Sequence, residues 1–159
     1  MKLVKTFIVY AALALLGACD SSPDLPASLA GGGFIFNYRL GEAYYGVVIN
    51  ATRSMPDGAV LSAEFEDPAG GPAIVINQAA QKSQQRYMFR TPALKGIKKD
   101  VPYHVAVRVL DGPNGKELQK IEHSYKSDFD ESIIAGGPLV IGPCYTPNPE
   151  NDITKPTAN

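Results

Sequence analysis

The sequence predicts an all-β domain, a sandwich of two antiparallel sheets with seven strands, and three observations carry that prediction. Apolar residues recur with a period of two over runs of four to eleven residues, where a helix would show a period near 3.6. The 13 prolines and 15 glycines fall almost entirely between those runs, as the turns joining short strands require. Seven such runs fit between residues 34 and 126, enough chain for two sheets to enclose one core.

Ahead of the strands, Met1 to Lys5 is a short basic start and Thr6 to Leu16 an uncharged apolar run. That is the outline of a signal peptide. Eleven residues of helix reach about 16 Å, well short of the roughly 30 Å hydrocarbon core of a bilayer, so the run addresses the chain to export and does not span. It ends in Leu16-Gly17-Ala18-Cys19. This quartet resembles the lipobox of bacterial lipoproteins, which implies cleavage after Ala18, acylation of Cys19, and attachment of the mature protein to a membrane facing the periplasm. More than one acyl chain makes such an attachment stable. Asp20 occupies the place of the residue that resembles an inner-membrane retention signal in enterobacterial lipoproteins, so the resemblance leans toward the inner membrane and leaves the outer one open. Residues 19–33, with Pro23, Pro26 and three consecutive glycines, read as the lipidated cysteine and a flexible tether.

The strands of the domain, residues 34–127, follow in order. Phe34 to Arg39 alternates, and a turn at residues 40–43 leads to Tyr44–Arg53, where Tyr45, Val47, Ile49 and Ala51 share a face. Met55-Pro56-Asp57-Gly58 has the residues of a turn, since proline presets φ and glycine accepts φ > 0. Ala59–Glu66 places Leu61, Ala63 and Phe65 inward; Asp67 to Pro72 breaks the chain before a short run, Ala73–Ile76. A Gln-rich loop leads to Arg86–Thr91, with Tyr87 and Phe89 on one face. The strongest strand signal is Tyr103–Leu110, with Tyr103, Val105, Val107 and Val109 together, and a turn at residues 111–115 returns it as Lys116–Lys126. The pattern slips between Leu118 and Ile121, which suits a β-bulge. Lys116, Lys120 and Lys126 mark that strand as a sheet edge guarded against promiscuous pairing.

Ile97-Lys98-Lys99-Asp100-Val101-Pro102-Tyr103 resembles the corner of fibronectin type III domains, where an aliphatic residue stands six before a tyrosine that opens the sixth strand. The resemblance implies an immunoglobulin-like, fibronectin type III-like sandwich in which the Tyr103 hydroxyl bonds back to the corner backbone. The family's usual glycine at the bend is replaced by Asp100, and the chain has no tryptophan. A transthyretin-like sandwich is the alternative. Residues 128–144 read as an acidic, Gly-rich extension with a short apolar strand, and residues 145–159 as a Pro-rich disordered tail.

Composition narrows the function. Loss of residues 1–18 would leave 141 residues with 13 basic and 16 acidic side chains, no footprint for nucleic acid. Acylation of Cys19 leaves Cys144 alone, so burial must hold the domain together without an internal disulfide. The sequence contains no G-x-S-x-G, H-E-x-x-H, C-x-x-C or phosphate-binding loop, and no enzyme activity, cofactor, metal or small-molecule ligand is expected. Weaker chemical patterns are His104 and His123, placed across one hairpin with Glu122 alongside; Asp128, Asp130 and Ser132, spaced like the start of a calcium loop; Lys95, Lys98 and Lys99, which could meet anionic headgroups; and Tyr44-Tyr45 as a glycan platform. The reading is a non-catalytic, lipid-anchored envelope module that binds another envelope protein, with Leu139, Val140 and Ile141 available to add as a strand to the partner's sheet. A ligand-binding module for calcium or glycan is the alternative.

Overall fold

A computed structural model describes residues 24–52, 55–134 and 137–151. The segment expected to be a signal sequence, with Ala18, Cys19 and Asp20, lies outside the described residues. Seven strands follow in order: β1 (Ala27–Asn37), β2 (Glu42–Ala51), β3 (Val60–Phe65), β4 (Ile74–Ala79), β5 (Arg86–Arg90), β6 (Pro102–Leu110) and β7 (Glu117–Lys126). They form two antiparallel sheets, ordered β1-β2-β5 and β4-β3-β6-β7. This is the expected seven-stranded immunoglobulin-like sandwich.

The period-two pattern decides what is buried. Tyr45, Val47 and Ile49 from β2, Tyr87 and Phe89 from β5, Leu61, Ala63 and Phe65 from β3, and Tyr103, Val105, Val107 and Val109 from β6 form one core. Its aromatic centre is tight: Phe34 stacks on Tyr45 at 4.9 Å between ring centroids, and Phe65 meets Tyr45 edge-on at 5.1 Å. Tyr45 also ties the sheets together, its hydroxyl donating to the carbonyls of Glu66 (2.7 Å) and His104 (3.1 Å). Burial and the nearby Glu66 carboxylate hold that phenol far above its ordinary pKa, so it remains a donor.

The corner between β5 and β6 is built as the fibronectin resemblance implied. The Tyr103 hydroxyl accepts from Lys98 N–H at 2.9 Å and faces the Gly96 carbonyl at 3.5 Å. Asp100 replaces the usual glycine by adopting a left-handed φ of 59°, a conformation that aspartate tolerates better than most residues.

The first strand corrects the expected tether. It begins at Ala27, so residues 27–33 belong to the sheet, and Gly31, Gly32 and Gly33 pair with Val48, Val47 and Gly46. Three glycines look like a linker, yet here they answer to close approach. A Cβ on Gly32 would stand 2.3 Å from the Gly46 carbonyl oxygen and 2.4 Å from the Tyr125 hydroxyl, while Gly31 and Gly33 take φ of 150° and 148°. The start of β1 is fastened to β7 by one side chain: Gln119 accepts from Ala27 N–H and donates to Ala27 C=O, both at 2.9 Å. Gln78 of β4 likewise donates to the Met88 carbonyl of β5 at 3.2 Å, so a glutamine bridges each open side of the sandwich.

Other bounds shift less. β4 runs to Ala79, three residues past the expected Ile76, because Asn77, Gln78 and Ala79 continue the ladder with Ser62, Leu61 and Val60. The bulge in β7 falls at Leu118, between the pairs Val109–Gln119 and Leu110–Glu117, and β7 is an edge strand as its lysines suggested.

Candidate functional site

The turn between β1 and β2, residues 38–41, meets the chain that follows β7. After Lys126, Ser127 secures the turn: its hydroxyl donates to the Phe129 carbonyl and accepts from Phe129 N–H. A one-turn 3₁₀ helix, Glu131–Ile134, then buries Ile134 in the core. Beyond it, β8 (Val140–Ile141) and β9 (Thr146–Pro147) pair as a short ribbon. The ribbon is docked on the β1–β2 turn, since Val140 N–H donates to the Arg39 carbonyl at 3.2 Å and the Arg39 guanidinium lies 4.9 Å from the centre of the Tyr145 ring.

Leu139, Val140 and Ile141 are therefore engaged by their own chain. The Leu139 carbonyl accepts from Asn148 N–H at 2.8 Å, and the Asn148 side chain donates to the Pro138 carbonyl at 2.8 Å. A partner approaching here meets side chains more readily than free backbone. Residues 145–151, expected as disordered tail, contribute β9 and a second 3₁₀ turn, Pro149–Asn151; the remainder of that tail lies outside the described residues. What the end of the domain presents is aromatic. Tyr38 is 50% exposed, Phe129 50%, Tyr145 54% and Ile141 45%, with Phe129 edge-on to Phe36 and Cys144 exposed in the ribbon's turn.

The weaker patterns resolve differently. His104 pairs with Ser124, and His123 with Val105, so side-chain alternation puts the two imidazoles on opposite faces of the sheet. The expected juxtaposition is wrong for that reason. His104 instead faces Glu122 at 3.5 Å, and His123 lies on Tyr125 with 4.6 Å between centroids. Asp130 is bonded to its own loop: its Oδ1 accepts from the Ser132 hydroxyl and from the Ser132 N–H at 2.8 Å, bonds that hold its carboxyl below the usual aspartate range. Glu131 accepts from Gly96 N–H and pairs with Lys95 at 3.1 Å, which together depress its pKa. Among the described residues, no group of three His, Cys, Asp or Glu side chains could hold a metal ion. Tyr45 is buried, and the Arg90 guanidinium lies 4.6 Å from the centre of the Tyr44 ring, so the two tyrosines form no open glycan platform.

Two surface features were not singled out in the sequence. The outer face of β3, β6 and β7 holds a polar depression of about 460 Å³ above Ala106, where Glu64, Glu66, Asp67 and Glu122 outnumber Arg108 and Lys120. Much of that charge is internally paired, Arg108 with Glu64 at 2.6 Å and Glu117 at 3.3 Å, Lys120 with Glu122 at 2.6 Å. The outer face of β1, β2 and β5 holds an apolar groove of about 290 Å³ floored by Gly33 and Gly46. Ile35 and Met88 stand over it, 53% and 65% exposed. The signal for the second was present: Gly46 and Val48 alternate at the centre of β2, so the middle of its outward face is not polar. No protein-family model matches the sequence, and a comparison with curated proteins finds no significant relative.

Proposed function

We propose that the protein is a lipid-anchored, non-catalytic module of the bacterial cell envelope that binds another envelope protein. The anchor rests on the sequence Leu16-Gly17-Ala18-Cys19, and the fold is compatible with it: the first strand begins eight positions after Cys19. The observation that carries the interaction is the aromatic tip. Tyr38, Phe129, Tyr145 and Ile141 remain about half exposed, Tyr145 under the Arg39 guanidinium and Phe129 edge-on to Phe36 near the end of β1. Tyrosine, phenylalanine and arginine are the residues enriched at the centres of protein interfaces, because rigid rings bury much area at little entropic cost. The docked ribbon offers its Ile141 and Tyr145 side chains to the partner, while the backbones of Leu139 and Val140 fasten it to Asn148 and Arg39.

Two experiments test the halves separately. Cys19→Ala should move the protein from the detergent phase to the aqueous phase; persistence in detergent would refute the anchor. A photoreactive amino acid at Tyr145, activated in intact cells, should capture one defined envelope protein, whereas the same group at Asn77, on the outer face of β4, should not. Recovery of the uncrosslinked protein from both would refute the aromatic tip as the contact.

A further inference from the structure

We infer that the outer face of the β1-β2-β5 sheet lies against the anionic phospholipid surface to which the protein is anchored. This rests on the lipid-anchored reading and adds which side of the domain faces the bilayer. Three observations converge on that face. Its centre is apolar and open, with Ile35, Val48 and Met88 around the glycine-floored groove and the first and last of these more than half exposed. Arg86 and Arg90 flank Met88 on the same face, both exposed, since residues two apart on a strand point the same way; Arg86 donates to Asn50 at 3.2 Å and Arg90 lies over the Tyr44 ring, contacts that hold each guanidinium at the surface of this face. Apolar side chains between two guanidinium groups match the layering of an anionic membrane surface, acyl boundary beneath phosphate.

The tether supplies the second argument. With β1 beginning at Ala27, only Asp20 to Pro26 separate the acylated cysteine from the sheet, and seven residues span at most about 24 Å. The strand that the tether enters is an edge of the same sheet that carries the groove. Charge on the other side supplies the third. In the depression on the β3-β6-β7 face, four carboxylates stand against two cations, so that face is repelled by anionic headgroups. Lys95, Lys98 and Lys99, the basic group that the sequence offers to lipid, sit in the β5–β6 connection, and Lys95 is paired with Glu131. With the groove toward the membrane, the aromatic tip projects sideways, free to meet a neighbour.

The chain has no tryptophan, so a single introduced one reports its own surroundings. Full-length lipidated protein carrying Met88→Trp would be reconstituted into vesicles of phosphatidylethanolamine and phosphatidylglycerol, with Val75→Trp on the outer face of the other sheet as the comparison. Val75 is 55% exposed, so both sites accept a larger side chain. The tryptophan at 88 should shift to shorter wavelength and be quenched by lipids brominated on their acyl chains, and that at 75 should not. Neutralising Arg86 and Arg90 in the Met88→Trp background should reduce the face-down population about fivefold per arginine. Vesicle-bound protein whose two tryptophans are quenched equally, or not at all, would overturn the orientation and leave the anchor standing. Protein that stays in the supernatant would overturn the anchor, and the orientation with it.

Discussion

Replacing Tyr103 with phenylalanine isolates one hydrogen bond at the corner between β5 and β6. The ring is 3% exposed and would stay in place, so burial of apolar area is nearly unchanged. What is lost is the acceptor for Lys98 N–H at 2.9 Å; the Gly96 carbonyl, at 3.5 Å, is at the limit of a bond and adds little. An unsatisfied backbone donor costs about 1–3 kcal/mol, and Lys98 lies near enough to the surface for water to recover part of that. The expected loss is about 1–2 kcal/mol, or roughly 4–8 °C in melting temperature for a domain of this size. Urea unfolding followed by circular dichroism measures it, with a lower midpoint and an unchanged slope. Tyr38→Phe, at a half-exposed tyrosine, is the control and should change nothing. A Tyr103→Phe variant within about 0.3 kcal/mol of the parent would show that the corner is held by packing alone.

Gln119→Ala should cost about 1–2 kcal/mol, because it strands both polar groups of Ala27, which is 2% exposed. Faster amide exchange over the first residues of β1 is the specific readout; unchanged protection at Ala27 would show that the strand pairing suffices. Acid should weaken the attachment of the 3₁₀ turn to the corner. The Glu131 pKa is lowered in the folded state, chiefly by Gly96 N–H and then by Lys95, so its contribution is complete above the ordinary glutamate value and is lost as pH falls below about 4.3. Glu131→Gln should therefore flatten the acid limb of a stability profile, and an identical limb in both proteins would refute that assignment.

The inner faces of β2, β3, β5 and β6 were legible in the sequence because their burial follows a period of two, interrupted in β6 only by the buried Ala106, and that period is a property of the local backbone. Tyr103 was legible for a related reason, since its partner, Lys98 N–H, is only five residues away. The proposed export signal and Cys19 anchor rest on local pattern alone, four adjacent residues at the end of an apolar run. The rest depended on pieces of chain far apart. Gly31-Gly32-Gly33 looks like a linker until Gly46 and Tyr125 are brought against it, and Gln119 acquires its meaning only from Ala27, 92 residues away. The two histidines seemed neighbours by separation along a hairpin, but the alternation of side chains across the paired strands sends them to opposite faces. The apolar groove and the acidic depression belong to sheets, and a sheet's outer face is assembled from strands whose order the sequence does not state. Local pattern decided which residues are inside; the pairing of distant strands decided what the outside can meet.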